Sequence, residues 1–333
     1  MFCEMSPPIE TSIRKVSQDC WVLGSGMICE RNGAQTESCV ASWSDDSGSI
    51  FRLRTENNPT LQSVDAACGM QDRIHFAGTS AAVWKIGNVY CKVKSYVAGM
   101  EYEADTISFV RSKASTIPLP EVIYTWVDEK LCRTFLLLRQ IKGRTLAECW
   151  SSLSPYQHTN IAATIARFCK LLAQNSSPSL QSISGLGVLD SFLTKRPPHS
   201  RPSWMPYPLG PLRPGELADY LHQSQPTTLL EIPEKFYFHH SDLGPTNIMI
   251  SKEGSVDGVL DWESAGYYPW FWIATKPLIS AGFNLPLGSE NRYAWAELLT
   301  KALELEGFEQ ALGQFKGWEK AVESLNTASS CMK

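Results

Sequence analysis

The dominant period of apolar and polar positions along this chain changes near residue 143. Before it they alternate. From Asn88 to Lys94, Val89, Cys91 and Val93 fall on one side and Tyr90, Lys92 and Lys94 on the other, as in a strand with one buried face. Ser38-Cys-Val-Ala-Ser-Trp43 and Ser49-Ile-Phe-Arg-Leu-Arg54, joined across Asp45-Asp-Ser-Gly48, predict a β-hairpin. His75 to Gly87 reads as strand, small-residue turn and strand, and Phe135 to Leu138 as a buried strand. Glu101 to Val110 is a helical interlude anchored by Tyr102, Ile107, Phe109 and Val110. After Gln140-Ile-Lys-Gly143 the helical period dominates: Thr145 to Trp150, then Ser154 to Gln174 with Ile161, Ile165, Phe168, Leu171 and Leu172 on one face. Ser154 followed by Pro155 marks a helix start. Helical patterns recur around Glu216 to His222 and after Gly307, where Phe308, Leu312, Phe315, Trp318 and Val322 form an apolar stripe.

Between the last two helical patterns the period returns to strands, and the chemistry concentrates there. Phe236-Tyr-Phe-His-His-Ser-Asp-Leu-Gly-Pro-Thr-Asn-Ile-Met-Ile250 precedes Gly258-Val-Leu-Asp-Trp-Glu263. Ile248 to Ile250 is an apolar strand, Ser251 to Ser255 has turn chemistry around Gly254, and Val259-Leu260 begins a return strand. A hairpin of that length brings Asn247 and Asp261 together with Asp242 beside them. One base, one amide oxygen and one carboxylate are the set phosphoryl transfer uses, because that reaction needs positioning and charge neutralisation more than covalent help. Mg²⁺ takes oxygen ligands, typically one or two from protein, the rest from water and phosphates.

These motifs, His240-Ser-Asp242 with Asn247 and Leu260-Asp-Trp-Glu263, resemble those of the aminoglycoside phosphotransferase and choline kinase superfamily, more narrowly its fungal phosphotransferase-like group. The resemblance runs from about Ile74 to about Leu285. It implies an α+β, bilobal, protein-kinase-like fold with a small antiparallel-sheet N-lobe over residues 71–140 and a mainly helical C-lobe over 141–333. It implies ATP and Mg²⁺, with Asp242 as catalytic base and Asn247 and Asp261 as metal ligands. Gly78, Thr79 and Ser80 form a small-residue loop able to approach phosphates. Lys92 or Lys94, Lys92 preferred, would clamp them, paired to Glu103. Backbone groups from Arg139 through Gln140 to Ile141 would meet the adenine edge. Glu263 is expected behind the metal ligands and His240 behind the loop, with His239 unassigned. Two departures from the family pattern stand out. Ser241 occupies a common glycine position, and Trp270-Phe-Trp-Ile-Ala-Thr-Lys-Pro277 offers no carboxylate where relatives brace the catalytic loop, so Trp272 replaces that brace or the loop is held otherwise.

Composition narrows the setting. At 333 residues the chain suits one bilobal unit, with residues 1–70 as an N-terminal extension carrying the hairpin. A net charge of −4 gives no reason to expect nucleic acid or an anionic membrane. The ten cysteines form no C-x-x-C pair and read as reduced thiols. The N-terminus has no signal-peptide pattern, and no apolar run approaches the ~20 residues of a membrane span, so a cytoplasmic enzyme is expected. Its partner would be a small-molecule acceptor with a hydroxyl or, second, an amine. Lys195, Arg196, Arg201 and Arg213 in the stretch before the catalytic loop argue against a polycationic acceptor. A nucleotide-binding scaffold without turnover is the alternative the missing carboxylate permits. A protein kinase ranks below both, for want of an activation segment after Asp261.

Overall fold

The computed structural model describes residues 8–56, 72–77, 80–194, 205–222 and 231–328. The chain divides into two compact units.

The first unit is built from two five-stranded antiparallel sheets. One contains β1 (Ile13–Ser17), β2 (Cys20–Leu23), β3 (Met27–Arg31), β4 (Cys39–Ser44) and β5 (Ile50–Thr55), in the order β1-β2-β3-β5-β4. The other contains β6 (Arg73–Ala77), β7 (Ala81–Ile86), β8 (Val89–Ser95), β9 (Val122–Asp128) and β10 (Arg133–Arg139), in the order β6-β7-β8-β10-β9. The hairpin predicted between Ser38 and Arg54 is β4 and β5, with Trp43 opposite Phe51. It is one corner of a larger sheet, because β1, β2 and β3 extend it across β5.

The two sheets share one core. Trp21, Leu23, Cys29, Trp43, Phe51 and Leu53 of the first pack with Trp84, Ile86, Val89, Cys91, Val93, Phe135 and Leu137 of the second. The alternation read along β8 is the cause: Val89, Cys91 and Val93 are fully buried, while Tyr90, Lys92 and Lys94 on the other face are half-buried. Each fully buried large apolar side chain contributes roughly 1.5–3 kcal/mol, so neither sheet's inner face can be left uncovered. The contact is specific as well as apolar. Trp43 stacks on Phe51 at 5.7 Å, and its Nε1–H donates to the Ile86 carbonyl at 3.2 Å. The Phe51 ring comes within 2.7 Å of where a side chain on Gly87 would begin. Asp128 pins one end, its carboxylate accepting from Ser25 of the β2–β3 turn and from the Leu131 amide.

The second unit comprises residues 99–119, 141–198 and 207–333. Its helices are α1 (Glu103–Lys113), α2 (Leu146–Cys149), α3 (Pro155–Leu172), α4 (Pro214–His222), α5 (Trp272–Ile279), α6 (Ala294–Leu305) and α7 (Leu312–Ala328). Two three-stranded sheets complete it, one of β11 (Arg144–Thr145), β14 (Ile248–Ile250) and β15 (Val256–Val259), the other of β12 (Ser176–Ser177), β13 (Phe236–His239) and β16 (Gly266–Tyr268). Ser154 caps α3 as predicted, in a reciprocal capping box with Gln157, and Thr145 does the same for α2 with Glu148. The helix expected from Glu101 starts later, at Glu103. Glu101 is diverted because its buried carboxylate accepts from the Ser184 amide at 2.9 Å and hydroxyl at 3.0 Å. The stripe after Gly307 is α7, whose Phe315, Trp318 and Val322 join a core with Leu193, Leu217, Phe236 and Trp272.

The α+β class is thus the observed one. Among the described residues no helix is long and apolar enough to cross a membrane.

Candidate active site

The loop between β13 and β14 carries His240, Ser241, Asp242 and Asn247, and its shape follows from a few local bonds. His240 is completely buried. Its Nε2 lies 2.9 Å from the Leu260 carbonyl and its Nδ1 accepts from the Asp242 amide at 3.2 Å, which requires the tautomer protonated at Nε2. An edge contact to Trp262 at 4.4 Å completes its packing behind the loop. Ser241 sits at φ +65°, a left-handed conformation unusual for a residue with a side chain. Asn247 donates through Nδ2 to both the Asp242 carbonyl (2.9 Å) and carboxylate (3.0 Å). Its own carbonyl accepts from the Leu260 amide at 2.8 Å, so the β14–β15 hairpin closes at its base with Asp261 next in line.

Asp261 is also left-handed, at φ +63° and ψ +63°, and starts a short helical turn. The amide of the following Trp262 donates to Glu103 on α1 at 3.1 Å. One carboxylate oxygen from each of Glu103, Asp261 and Glu263 lies within 4.8 Å of the others. The sequence placed Glu103 as a lysine's partner and Glu263 in a supporting position; the structure adds that both share a small volume with Asp261.

That density of negative charge is felt at Asp242. Its carboxyl is pushed up to about 6, first by burial and then by the Asp261 charge, with Glu263 adding a little; Lys276 and the Asn247 hydrogen bond pull the other way. His239, next to the loop, is buried with no hydrogen-bond partner at either ring nitrogen, and burial drives it down to about 3, so it is neutral.

In the first unit the expected nucleotide residues are partly described. Lys92 lies opposite Val83 on β7 and Leu136 on β10, and Lys94 opposite Ala81 and Thr134. The Ser80 carbonyl accepts from Ser95 at 2.9 Å, whereas Gly78 and Thr79 lie outside the described residues. Two of the backbone donors expected at the adenine edge are already used. The Arg139 amide donates to the Glu121 carbonyl at 2.9 Å and the Gln140 amide to Asn88 at 2.8 Å. β10 ends at Arg139, where Gln140-Ile-Lys-Gly143 was expected to break it.

Residues 89–272, more than half of the chain, match the phosphotransferase enzyme family. The chain belongs to that family. The matched span runs from the first residue of β8 to Trp272 and includes Lys92, Glu103, Asp242, Asn247 and Asp261. Among solved structures, aminoglycoside phosphotransferase APH(3'')-Id of Streptomyces rimosus is similar at 18% identity and a TM-score of 0.47, covering 78% of this chain and 94% of its own. A thermostable mutant of aminoglycoside phosphotransferase APH(4)-Ia is similar at 15% identity and a TM-score of 0.46, covering 76% and 84%. Aminoglycoside 2'-phosphotransferase-IIIa, in its GDP complex, is similar at 11% identity and a TM-score of 0.43, covering 81% and 88%. No curated protein matches the chain.

This phosphotransferase holds the loop that bears Asp242 with a carboxylate that sequence reasoning missed. Asp190, from the turn after Val188, is buried and accepts at Oδ2 from the Ser241 hydroxyl (2.8 Å), Trp272 Nε1 (2.9 Å) and Lys276 Nζ (2.6 Å). Trp272 therefore does take part in the brace, as a hydrogen-bond donor rather than by packing alone. No local pattern around Leu189-Asp190 marks it; the one available clue was the absence of an acid near Trp272, which left open whether Trp272 replaces the brace or the loop is held otherwise.

Proposed function

We propose that the chain transfers the γ-phosphoryl group of ATP, bound with Mg²⁺, to a hydroxyl of a small molecule. The observation that carries this reading is the hairpin base, where Asn247 is hydrogen-bonded to Asp242 and Asp261 follows directly on the closing bond. Asn247 has committed its amide nitrogen to Asp242, so its oxygen is the atom left for a cation. The donor set of Asn247 and Asp261, with Glu103 and Glu263 close to the latter, is all oxygen, and after burial the Asp261 charge helps raise the neighbouring Asp242 carboxyl. Both properties suit Mg²⁺. Asn247 and Asp261 would hold the ion, which would neutralise charge on the phosphates.

Asp242 then orients the acceptor hydroxyl and takes its proton as the new oxygen–phosphorus bond forms and the bond to the departing ADP breaks. A carboxyl raised to about 6 is a better proton acceptor than an ordinary aspartate and is still ionised at neutral pH. Lys92, from the N-lobe portion of the chain, would clamp the phosphates and pair with Glu103. The enzyme would act in the cytoplasm, in keeping with Cys20, Cys29, Cys39, Cys91, Cys132, Cys149 and Cys169, all of them free thiols. The basic stretch read as acceptor-facing falls mainly on residues 195–204, outside the described ones, so a non-cationic acceptor rests on Arg213 and the sequence alone.

The test is Asp242→Ala in an ATP-consumption assay with a metabolite extract as acceptor, beside thermal shift with ATP and Mg²⁺. Turnover should fall by on the order of 10²–10⁴ while the nucleotide-induced shift persists. Consumption at the unsubstituted rate would refute the assignment. A nucleotide shift with no turnover by the unsubstituted chain would favour the scaffold reading instead.

A further inference from the structure

Asp190 is more than a buried ion-pair partner. Its side chain has no exposure, and its two oxygens have separate tasks. Oδ1 accepts from the Phe192 amide at 3.0 Å, which fixes the carboxylate to its own turn. Oδ2 takes the three donors named above, from the catalytic loop and from two positions one turn apart on α5. Trp272 Nε1 also lies 3.3 Å from the Ser241 hydroxyl, so loop, helix and turn meet in one closed set of bonds. Lys276 is itself enclosed, its ammonium 4.9 Å from the Phe192 ring and 5.2 Å from that of Trp272.

The residue gripped in this way has a backbone that needs a grip. Ser241 is left-handed, immediately precedes Asp242, and does so without the freedom of a glycine. A relaxed Ser241 would rotate the next peptide and carry the Asp242 carboxylate with it. The neutral donors of Trp272 and Ser241 and the charge of Lys276 together satisfy a carboxylate that could not otherwise be buried. Every partner is in the same unit, and the arrangement is closed to solvent.

We propose that Asp190 is a positioning residue for the catalytic base: through the Ser241 hydroxyl it holds the left-handed turn that aims Asp242. The inference rests on Asp242 being the base, and its test includes a measurement that does not.

Asp190→Ala and Ser241→Ala would be compared with the unsubstituted full-length chain. In amide hydrogen exchange, both variants should exchange at least tenfold faster over His240 to Asn247, with β8 unchanged. In Mg²⁺-ATP hydrolysis, with water as acceptor, both should lose at least tenfold in kcat while KM for ATP stays within twofold. A merely structural role for Asp190 would lower the amount of folded protein without splitting kcat from KM or singling out the loop. If Asp190→Ala fails to fold, Ser241→Ala decides the matter, since it removes one hydroxyl and leaves Asp190 with Lys276 and Trp272. Loop exchange at the unsubstituted rate in Ser241→Ala overturns the proposal, as does unchanged kcat. If the unsubstituted chain does not hydrolyse ATP, it is the functional reading that fails, and the exchange result alone upholds or overturns the positioning.

Discussion

At the scale of single residues, Asp242 is held in its ionised form at a cost. Its carboxyl titrates near 6 in the folded protein, above the ordinary carboxylate range, because burial and the Asp261 charge both oppose ionisation. The folded state therefore binds a proton more tightly than the unfolded chain does, and this residue's contribution to stability falls as pH rises from about 4 to about 6. Above that range the ionised group is a fixed penalty on the order of 2–3 kcal/mol, since each tenfold gain in proton affinity is worth about 1.4 kcal/mol. Asp242→Asn keeps an oxygen for the Asn247 donor and removes the charge. It should melt higher than the unsubstituted protein at pH 7.5, with the difference shrinking to nothing by about pH 4, in thermal melts without metal. A pH-independent difference would mean that charge is not the cause. The meeting of Asp242, Asn247 and Asp261 was legible in the sequence, because the length of one hairpin sets it. Asp190 was not, because a brace can come from any segment that folds onto the loop, and here it comes from 51 residues upstream of Ser241.

At the scale of elements, the loop that bears Asp242 is seated by a near-contact of two backbones. A side chain on Gly244 would begin 2.2 Å from the Gly282 carbonyl, in the turn after α5, and one on Gly282 would meet the Asp242 carboxylate at 3.3 Å. Trp295 of α6 adds a bond from its indole to the Leu243 carbonyl at 3.0 Å. The loop is thus held from Asp190 on one side and from the turn and α6 on another. Because the Gly282 carbonyl is main chain, it cannot swing aside as a side chain would. Gly244→Ala should accordingly destabilise by about 2 kcal/mol in urea unfolding and lower ATP turnover more than ATP binding. Unchanged stability would show that the turn after α5 yields freely. Capped helices and alternating strands were visible beforehand, since Ser154-Pro155 and the β8 pattern act through neighbours in sequence. The delayed start of α1 was not visible, because Ser184, which captures Glu101, is remote in the chain.

At the scale of the whole molecule, the N-terminal sheet is part of the first unit's core rather than an appendage to it. Its sequence showed one hairpin; β1, β2 and β3 are shorter and less regular in pattern, and only the partner sheet makes sense of their buried Trp21, Leu23 and Cys29. The second sheet has the reciprocal need. Without Trp43 and Phe51, the inner face formed by Trp84 and Ile86 of β7 and by Val89, Cys91 and Val93 of β8, the strand that bears Lys92, would be open to water. Trp43→Ala should cost ~3–5 kcal/mol, through the cavity, the lost stack on Phe51 and the orphaned Ile86 carbonyl. Removing residues 1–71 goes further and exposes the whole face. The shortened chain should aggregate or bind a hydrophobic dye strongly, and should show no thermal shift with ATP and Mg²⁺, whereas the full chain should show one. A shortened chain that melts cooperatively at the full-length temperature and still binds nucleotide would show that β6 to β10 fold as a self-sufficient sheet, and that the first sheet is dispensable to it.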